Sequence, residues 1–428
     1  MVSRGSKLML WIVAGFLLGM GGGIALSEWA SPAVIERVVS CASPFGGALV
    51  AMLKMAVIPI IFFSLIVGAA SLPLKHSGRI GGMVVGWYAA TSLVATLIGV
   101  GVAYLMNPTI AEAGELATGN LAAVTAVTGD VRGISFSEYV VGLFCNPFEA
   151  LAEGKFLPVI VFAVFTGLCA RFILDRASPD TDESRTVKMF IDVCDGIQRV
   201  AFRMIDCVMF YFPIGVFALS LTNFAAHGLL LFGPYVRIVA CVVTGVAVML
   251  GVVYPLLLAV FARVNPFRVL WRLRNPFLTA FITRSSIATL PISYQAADEL
   301  GVKRTLSSFS LPMGATVNMD GVCVHLPAFV ILAANLFGHP LSFFQIVLLC
   351  VSVMVASVGA GGIPGGSIFL LFMVLEAMGL PGEEVSMVVA LAIGINPVLD
   401  MFETSCNVIG DNVCTYIVAK SGGELTEK

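Results

Sequence analysis

Charged residues are scarce in this sequence. Asp, Glu, Lys and Arg make up 12% of its 428 residues, whereas hydrophobic residues make up 58%, and the mean hydropathy is +0.98. In soluble domains the charged share is about 25%. The formal net charge is −2, so the chain lacks the basic excess that is typical of nucleic-acid-binding proteins. The composition therefore argues against a soluble protein and against a nucleic-acid partner.

Motifs of catalysis and of structural metal sites are also missing from the sequence. The ten cysteines form no CxxC pair and no metal-ligand spacing with the four histidines. Most of them lie in apolar stretches, where Cys behaves as a small hydrophobic residue. The sequence contains no HExxH motif, no Walker loop and no Ser/His/Asp arrangement. We therefore expect no enzymatic activity, disulfide, structural metal or organic cofactor.

Long apolar stretches are abundant instead. Several are long enough to cross the hydrocarbon core as helices of about 20 residues, and they predict an all-α, multi-pass membrane protein. The first stretch lacks an evident small-residue cleavage site, so we interpret it as an uncleaved helix and not as a signal peptide. The predicted helices one to six span about 8–27, 44–72, 81–106, 156–174, 190–222 and 231–263.

Basic and acidic residues occupy different loops. Lys75, His76 and Arg79 follow helix two, and four arginines lie within 263–274, whereas the 107–150 loop is mostly acidic. By the positive-inside rule, the basic loops and both chain ends are cytoplasmic and the acidic loop is extracellular. We therefore predict a protein of the cell (inner or plasma) membrane.

Two later segments have the pattern of re-entrant hairpins. In 266–301, two apolar halves too short to span flank the polar residues 283–286, and both ends of the segment lie on the basic, cytoplasmic side. In 341–380, five glycines and a proline fall within 358–366, and such a stretch cannot be continuous helix. Paired interruptions of this kind indicate a binding site near the bilayer midplane of a secondary transporter.

Acidic side chains lie in the last two predicted helices. Helix seven (305–337) is interrupted at 314–321, and helix eight spans 384–420. At about 100° per residue, the polar residues of helix eight share one face. They are Asp400, Glu403, Thr404, Asn407 and Asp411. A carboxylate at the bilayer centre costs at least about 2.5–3.5 kcal/mol, so these groups need cations, water or a ligand.

The oxygen groups at these positions suit alkali cations. Carboxylates, amide oxygens and free backbone carbonyls are hard ligands, and the sequence supplies them at Asn318, Asp320, Asn407 and Asp411. The N-termini of half-helices at the hairpin tips suit a carboxylate, and Asp400 suits an ammonium group. The pattern predicts an amino-acid pocket beside sodium sites.

Four motifs and two shorter segments together carry a resemblance to a known family. The motifs are Arg284-Ser-Ser-Ile-Ala-Thr-Leu-Pro291, Asn318-Met-Asp-Gly321, the glycine-proline loop at 358–366, and Asp400…Asn407…Gly-Asp411. The shorter segments are Lys54-Met-Ala-Val-Ile-Pro59 and Leu157-Pro-Val-Ile160. Together they resemble the glutamate transporter family, the dicarboxylate/amino acid:cation symporters, over nearly the whole chain.

The resemblance implies a sodium-coupled amino-acid symporter with an elevator mechanism. Each protomer of a homotrimer would have eight transmembrane helices and two re-entrant hairpins, with membrane lipid around it. The scaffold would comprise 1–80 (helices one and two) and 107–230 (the extracellular loop with helices four and five). The transport domain would comprise 81–106 (helix three) and 231–428 (helices six to eight with both hairpins).

The resemblance also implies ligand sets for two to three Na⁺ ions and for the substrate. The first sodium site would comprise Gly314, Asn318, Asn407 and Asp411, the second Thr316, Ser357, Val358 and Ala360, and the third Tyr88, Thr91, Ser92, Asn318 and Asp320. The substrate site would comprise Ser285, Ser286, Val322, Gly359, Gly361, Gly362, Asp400, Glu403, Thr404 and Asn407.

Two positions depart from the pattern of the family members that take acidic amino acids. Those members carry an Arg at the position of Glu403, and usually a Thr at that of Val322. Because a Glu would repel an aspartate or glutamate side chain, we predict a neutral polar or cationic amino acid as the substrate. We interpret His325 as a polar packing residue.

The alternative is a Na⁺- or H⁺-coupled symporter of acidic amino acids or C4-dicarboxylates, with Glu403 as a proton carrier or as the partner of Arg284. A second alternative is an ion channel whose path is lined by the acidic face of helix eight.

Overall fold

The fold is almost entirely helical. The computed structural model describes residues 4–70, 78–106, 141, 144–153, 156–178, 181–337, 341–357, 365–378, 380 and 382–426. Within these residues, an isolated antiparallel bridge between Val302 and Leu425 is the only extended pairing. Most of the predicted 107–150 loop lies outside the described residues.

The helices of the N-terminal half pack closely against one another. Those described are α1 (Arg4–Trp29), α2 (Pro32–Ala70), α3 (Gly78–Met106), α4 (Pro147–Glu153), α5 (Phe156–Arg176) and α6 (Asp182–His227). Both α1 and α2 pack along α6, and α5 packs against α2. A Cβ on Gly19 of α1 would lie 2.4 Å from the carbonyl oxygen of Phe217 on α6. Small residues permit this packing in a bilayer, where apolar surface alone does not hold helices together.

Two π-helical turns interrupt the next long helix. Its parts are α7 (Phe232–Val248), a π-helical turn (Met249–Val253), α8 (Tyr254–Leu257) and a second π-helical turn (Leu258–Ala262). Pro255 lacks the N–H group that a regular helix would bond to the preceding turn, and the helix widens next to it. Tyr254, between the two π-helical turns, is fully buried.

Broken and paired helices make up the C-terminal half. They are α9 (Pro266–Arg272), α10 (Arg274–Thr283), α11 (Ser286–Glu299), α12 (Arg304–Val317), α13 (Asp320–Leu336), α14 (Phe343–Ser357), α15 (Gly366–Ala377) and α16 (Gly382–Gly422). Helices α10 and α11 pack against each other, as do α14 and α15. Arg284 ends α10 in the left-handed conformation with φ of 54°, and the Ser285 hydroxyl caps α11. The polar tip expected of the first hairpin therefore lies at these two residues.

The pair α12–α13 forms the centre of the protein. The described chain contains seven segments that are long and apolar enough to cross a membrane, and this pair is one of them. In its most apolar window 94% of the residues are buried, against 11–39% for the other six segments. Helices α3, α7 and α16 surround it.

Two helices begin about eight to twelve residues earlier than the sequence predicted. Helix α2 begins at Pro32, not near 44, and continues through Pro44, because neighbouring helices can satisfy the backbone groups that a membrane proline leaves free. Helix α6 begins at Asp182, not near 190, because the Thr181 hydroxyl caps it by accepting a hydrogen bond from the Ser184 N–H at 3.3 Å. The extension of α2 ends at Pro44, a residue that usually breaks a helix, and that of α6 is polar.

Gly99→Ala is expected to destabilise the fold. A Cβ on Gly99 of α3 would lie 2.6 Å from the carbonyl oxygen of Val324 on α13, and relief requires one helix to move. Overpacking of this kind costs about 1–3 kcal/mol. Gly101→Ala on the same helix is the matched control, because nothing lies within 4 Å of its added Cβ. Heating of the purified variants followed by size-exclusion chromatography measures the difference, and equal melting temperatures would contradict the close contact.

Candidate functional site

The break between α12 and α13 determines where the candidate site lies. Asn318 and Met319 have non-helical backbone angles, and they separate Val317 from Asp320. The N–H of Asn318 still donates to the Gly314 carbonyl at 2.9 Å, so the first helix ends directly after this bond. Asn318 and Asp320 are fully buried, and the break thus brings an amide and a carboxylate into the interior.

Three helices contribute to a polar chain around Asn318. The Asn318 side-chain amide donates to Asp411 Oδ1 on α16 at 3.0 Å. Thr91 on α3 donates to Asn318 Oδ1 at 3.2 Å. Asp411 is 3% exposed, so the structure brings together a carboxylate, an amide and a hydroxyl away from water.

A second buried carboxylate lies next to this chain. Ser92 on α3 donates to Asp320 Oδ1 at 3.3 Å, and the Tyr254 hydroxyl donates to Asp320 Oδ2 at 2.7 Å. Asp320 itself is 0% exposed. Both of its carboxylate oxygens are therefore held by hydroxyl groups from neighbouring helices.

Two glycines make room for these carboxylates. A Cβ on Gly314 would lie 2.6 Å from Asp411 Oδ1 and 2.8 Å from the Tyr88 hydroxyl oxygen. A Cβ on Gly410 would lie 2.6 Å from Asp320 Oδ2. Each carboxylate thus packs directly against the backbone of a facing helix, where only a residue without a side chain fits.

The contacts that the structure describes for Asp320 and Asp411 are all with neutral groups. A buried charge without a countercharge is strongly unfavourable. Hydroxyl, amide and carboxylate oxygens at one place are hard ligands for small cations. The electrostatics of this cluster therefore favour a bound cation.

Asp400 lies on α16, one helical turn before Thr404. Its Oδ2 accepts the Gly365 N–H at 3.0 Å and lies 3.8 Å from an Arg284 nitrogen, and its Oδ1 accepts from the Thr404 hydroxyl at 3.4 Å. Asp400 and Thr404 are both buried. Arg284 of the first predicted hairpin and Gly365 of the second therefore both lie next to Asp400. This is the carboxylate that the sequence analysis predicts to bind an ammonium group.

Asn407 and Ser286 complete the described part of the predicted substrate site. Asn407 Oδ1 accepts the Gly321 N–H at 2.6 Å, which ties α16 to the first turn of α13 next to the buried Val322. Ser285 Oγ accepts the Ala288 N–H at 3.2 Å. The Ser286 hydroxyl is buried and has no hydrogen-bond partner among the residues that the structure describes, so it can donate to a ligand.

Glu403 contacts a residue that the sequence analysis interpreted as packing. Its Oε1 contacts Nδ1 of His325 on α13, and the two side chains are 1% and 0% exposed. Arg284 instead lies beside Asp400. The alternative pairing of Glu403 with Arg284 is therefore wrong for this structure.

Three other predicted sodium ligands donate hydrogen bonds to backbone carbonyls. The Tyr88 hydroxyl donates to the Ser310 carbonyl at 2.8 Å, that of Thr316 to the Met313 carbonyl at 3.0 Å, and that of Ser357 to the Met354 carbonyl at 2.8 Å. These bonds do not link the three hydroxyls to the carboxylates. Five further predicted residues lie outside the described part of the chain: Val358, Gly359, Ala360, Gly361 and Gly362.

Sequence reasoning missed Tyr254 as a neighbour of the site, and it assigned His325 only a packing role. Each is a polar residue within an apolar helix, and this feature of the sequence could have identified it as a candidate site residue. Tyr254 also lies between two π-helical turns, which often occur at functional sites.

Comparison with known proteins identifies the family. A sequence profile of the sodium:dicarboxylate symporter family matches residues 8–421. The chain belongs to this family. The resemblance seen in the motifs is thereby confirmed, and the protein is a membrane transporter of a symporter family and not an enzyme.

The relatives within the family have different named substrates. The chain is 31% identical to neutral amino acid transporter B(0) of Bos taurus, over 94% of this chain and 76% of that protein. It is 27% identical to excitatory amino acid transporter 3 of Homo sapiens, over 97% and 86%. It is 29% identical to the proton/sodium-glutamate symport protein of Geobacillus stearothermophilus, over 92% and 90%.

Proposed function

We propose that this protein is a sodium-coupled symporter of a neutral polar or cationic amino acid. The observation that carries the proposal is the convergence of Asp320 and Asp411, both buried and both contacted by neutral donors. Two such carboxylates inside a membrane protein need partners, and bound cations would neutralise their charge. The family name and the sodium-linked bacterial relative support Na⁺ as that cation.

Two to three Na⁺ ions per protomer would bind at this cluster. Asp411 and Asn318 would hold one ion with Gly314 and Asn407, and Asp320 would hold another with Thr91, Ser92, Asn318 and Tyr88. Thr316, Ser357, Val358 and Ala360 would hold a further ion. Binding of these ions would neutralise the carboxylates and lower the cost of moving them through the bilayer.

The substrate would bind between the cluster and the hairpin tips. Ser286 and Asn407 would hold the α-carboxylate, while Asp400 and Thr404 would hold the α-amino group. Ser285, Val322, Gly359, Gly361 and Gly362 would line the remainder. Glu403 would face the substrate side chain, and its carboxylate favours a hydrogen-bond donor there over a second carboxylate.

Helix packing supports the proposed division into two domains. Helices α1, α2, α5 and α6 pack on one another, whereas α3, α7, α10 and α13 pack around α16 and its neighbours. The first group would be the trimerising scaffold, and the second would slide against it as an elevator. Both chain ends would be cytoplasmic.

Counterflow in proteoliposomes with radiolabelled serine, lysine and aspartate tests the proposal. Serine or lysine exchange that depends on Na⁺ is expected, with little aspartate exchange. Dominant aspartate or C4-dicarboxylate exchange would establish the acidic-substrate alternative, and ohmic current without exchange would establish a channel.

Tyr254→Phe is expected to lower the apparent Na⁺ affinity by about 10–100-fold, the range seen when a group that orients a metal ligand is removed. The hydroxyl fixes Asp320 Oδ2 at 2.7 Å, so without it the carboxylate is free to turn from the ion. Tyr211→Phe is the control, because it removes a similar 2.9 Å bond to the Phe45 carbonyl between α6 and α2. The Na⁺ dependence of uptake measures both, and a similar change in the two variants would contradict the role of Tyr254.

A further inference from the structure

His325 and Glu403 form a fully buried pair beside the proposed substrate site. His325 Nδ1 contacts Glu403 Oε1, and neither side chain is more than 1% exposed. The imidazole also stacks on Phe329 at 4.7 Å between ring centroids. Gly321 permits this approach, because a Cβ there would lie 2.3 Å from the Glu403 carbonyl oxygen. The two helices are thus fixed against each other at the pair.

The contact allows the pair to be neutral as a unit, because one proton can be shared between Nδ1 and Oε1. The total charge of the pair is zero in two states. Either the imidazole is neutral and the carboxyl group is protonated, or the imidazole is protonated and the carboxylate is ionised. Any other arrangement of protons leaves a net charge on two side chains that are at most 1% exposed, which is strongly unfavourable. In the neutral pair, Glu403 contributes no free negative charge to its surroundings.

The neighbouring charges are balanced in the same way. Asp400 lies 3.8 Å from Arg284, one turn from Glu403 along α16. Together the four side chains Arg284, His325, Asp400 and Glu403 sum to zero charge. A substrate side chain that carries a charge of either sign would leave this region with an uncompensated charge.

The pair still has hydrogen-bonding capacity. Glu403 Oε2 and His325 Nε2 are buried, and no residue in the described part of the chain forms a hydrogen bond with either atom. Unpaired polar atoms inside a protein are costly, and a hydroxyl or carboxamide can satisfy them without adding charge. An ammonium or carboxylate group would satisfy them only by adding a charge.

We propose that His325 is a specificity-determining residue which, by neutralising Glu403, restricts the substrate to amino acids with an uncharged polar side chain. This inference rests on the proposed function and narrows its substrate class. His325 acts through Glu403 and is a positioning residue, so it sets which substrate binds and does not itself need to touch it.

His325→Gln tests the proposal. The amide keeps a hydrogen bond to Glu403 but cannot carry the compensating proton, so the ratio of lysine to serine counterflow is expected to rise at least tenfold. His325→Gln combined with Glu403→Gln removes the uncompensated charge and is expected to return the ratio to that of wild type. Phe329→Leu disturbs the packing of the imidazole but not its charge, and it is expected to leave the ratio unchanged.

The outcomes separate this inference from the proposed function. Wild-type protein that exchanges neither serine nor lysine with Na⁺ would overturn the proposed function itself. Wild-type protein that exchanges serine, with a His325→Gln variant whose uptake falls without a change in the lysine-to-serine ratio, would overturn only the role of His325. If His325→Gln does not fold, competition in wild-type protein decides, because lysine that displaces serine at equal concentration contradicts the proposal.

Discussion

Asp411→Asn is expected to abolish sodium-driven uptake at physiological sodium concentrations. Asparagine keeps the shape of the side chain and the oxygen that accepts the Asn318 amide at 3.0 Å, but it removes the charge. Loss of one partner from a buried charge pair costs about 3–5 kcal/mol, which is roughly a hundredfold or more in apparent Na⁺ affinity. Uptake measured against Na⁺ concentration in proteoliposomes gives this shift.

Thermal unfolding tests the same substitution without transport. A ligand that binds only the folded state raises the melting temperature with its concentration, so wild-type protein should be stabilised by Na⁺ more than by choline. Asp411→Asn should lose most of that increment. In sodium-free buffer it should be at least as stable as wild type, because the amide carries no uncompensated buried charge.

Asp195→Asn is the matched control for the loss of a carboxylate. Asp195 lies on α6, is half-exposed, and pairs with Arg199 at 2.8 Å, so its removal should change neither uptake nor the response to Na⁺. Unaltered sodium dependence in Asp411→Asn would remove Asp411 from the proposed ion site.

The features predicted from the sequence are those with a local cause. The break at Asn318 follows from polar residues within an apolar stretch, and the tip of the first hairpin follows from Arg284 and Ser285 between two short apolar halves. The polar face of α16 follows from helical periodicity. None of these requires knowledge of which helices touch.

The features that sequence reasoning missed depend on contacts between distant residues. Tyr254 is 66 positions from Asp320, and His325 is 78 positions from Glu403. The sequence showed a carboxylate at 403 that needed a partner, but Arg284 and His325 were both available. The packing of α13 against α16 through Gly321 selects His325, and it leaves Arg284 beside Asp400.

Glu403→Arg is expected to reverse the charge preference of the substrate site. With Arg at this position, the charges of Arg284, Asp400 and the new arginine sum to +1. A buried arginine without a partner is unfavourable by several kcal/mol, and the side-chain carboxylate of aspartate or glutamate would supply that partner. The ratio of aspartate to serine counterflow should rise by roughly a hundredfold, because about 3 kcal/mol corresponds to two factors of ten.

Glu403→Gln is the control that separates charge from shape. It is nearly isosteric with Glu403 and leaves the four-residue sum at zero with a neutral His325, so serine should remain the better substrate and aspartate should gain little. If Glu403→Arg and Glu403→Gln raise aspartate exchange equally, removal of the glutamate alone controls selectivity and a positive charge at position 403 is not required. If neither does, side-chain selection is made elsewhere, and Glu403 with His325 serves only to join α13 to α16.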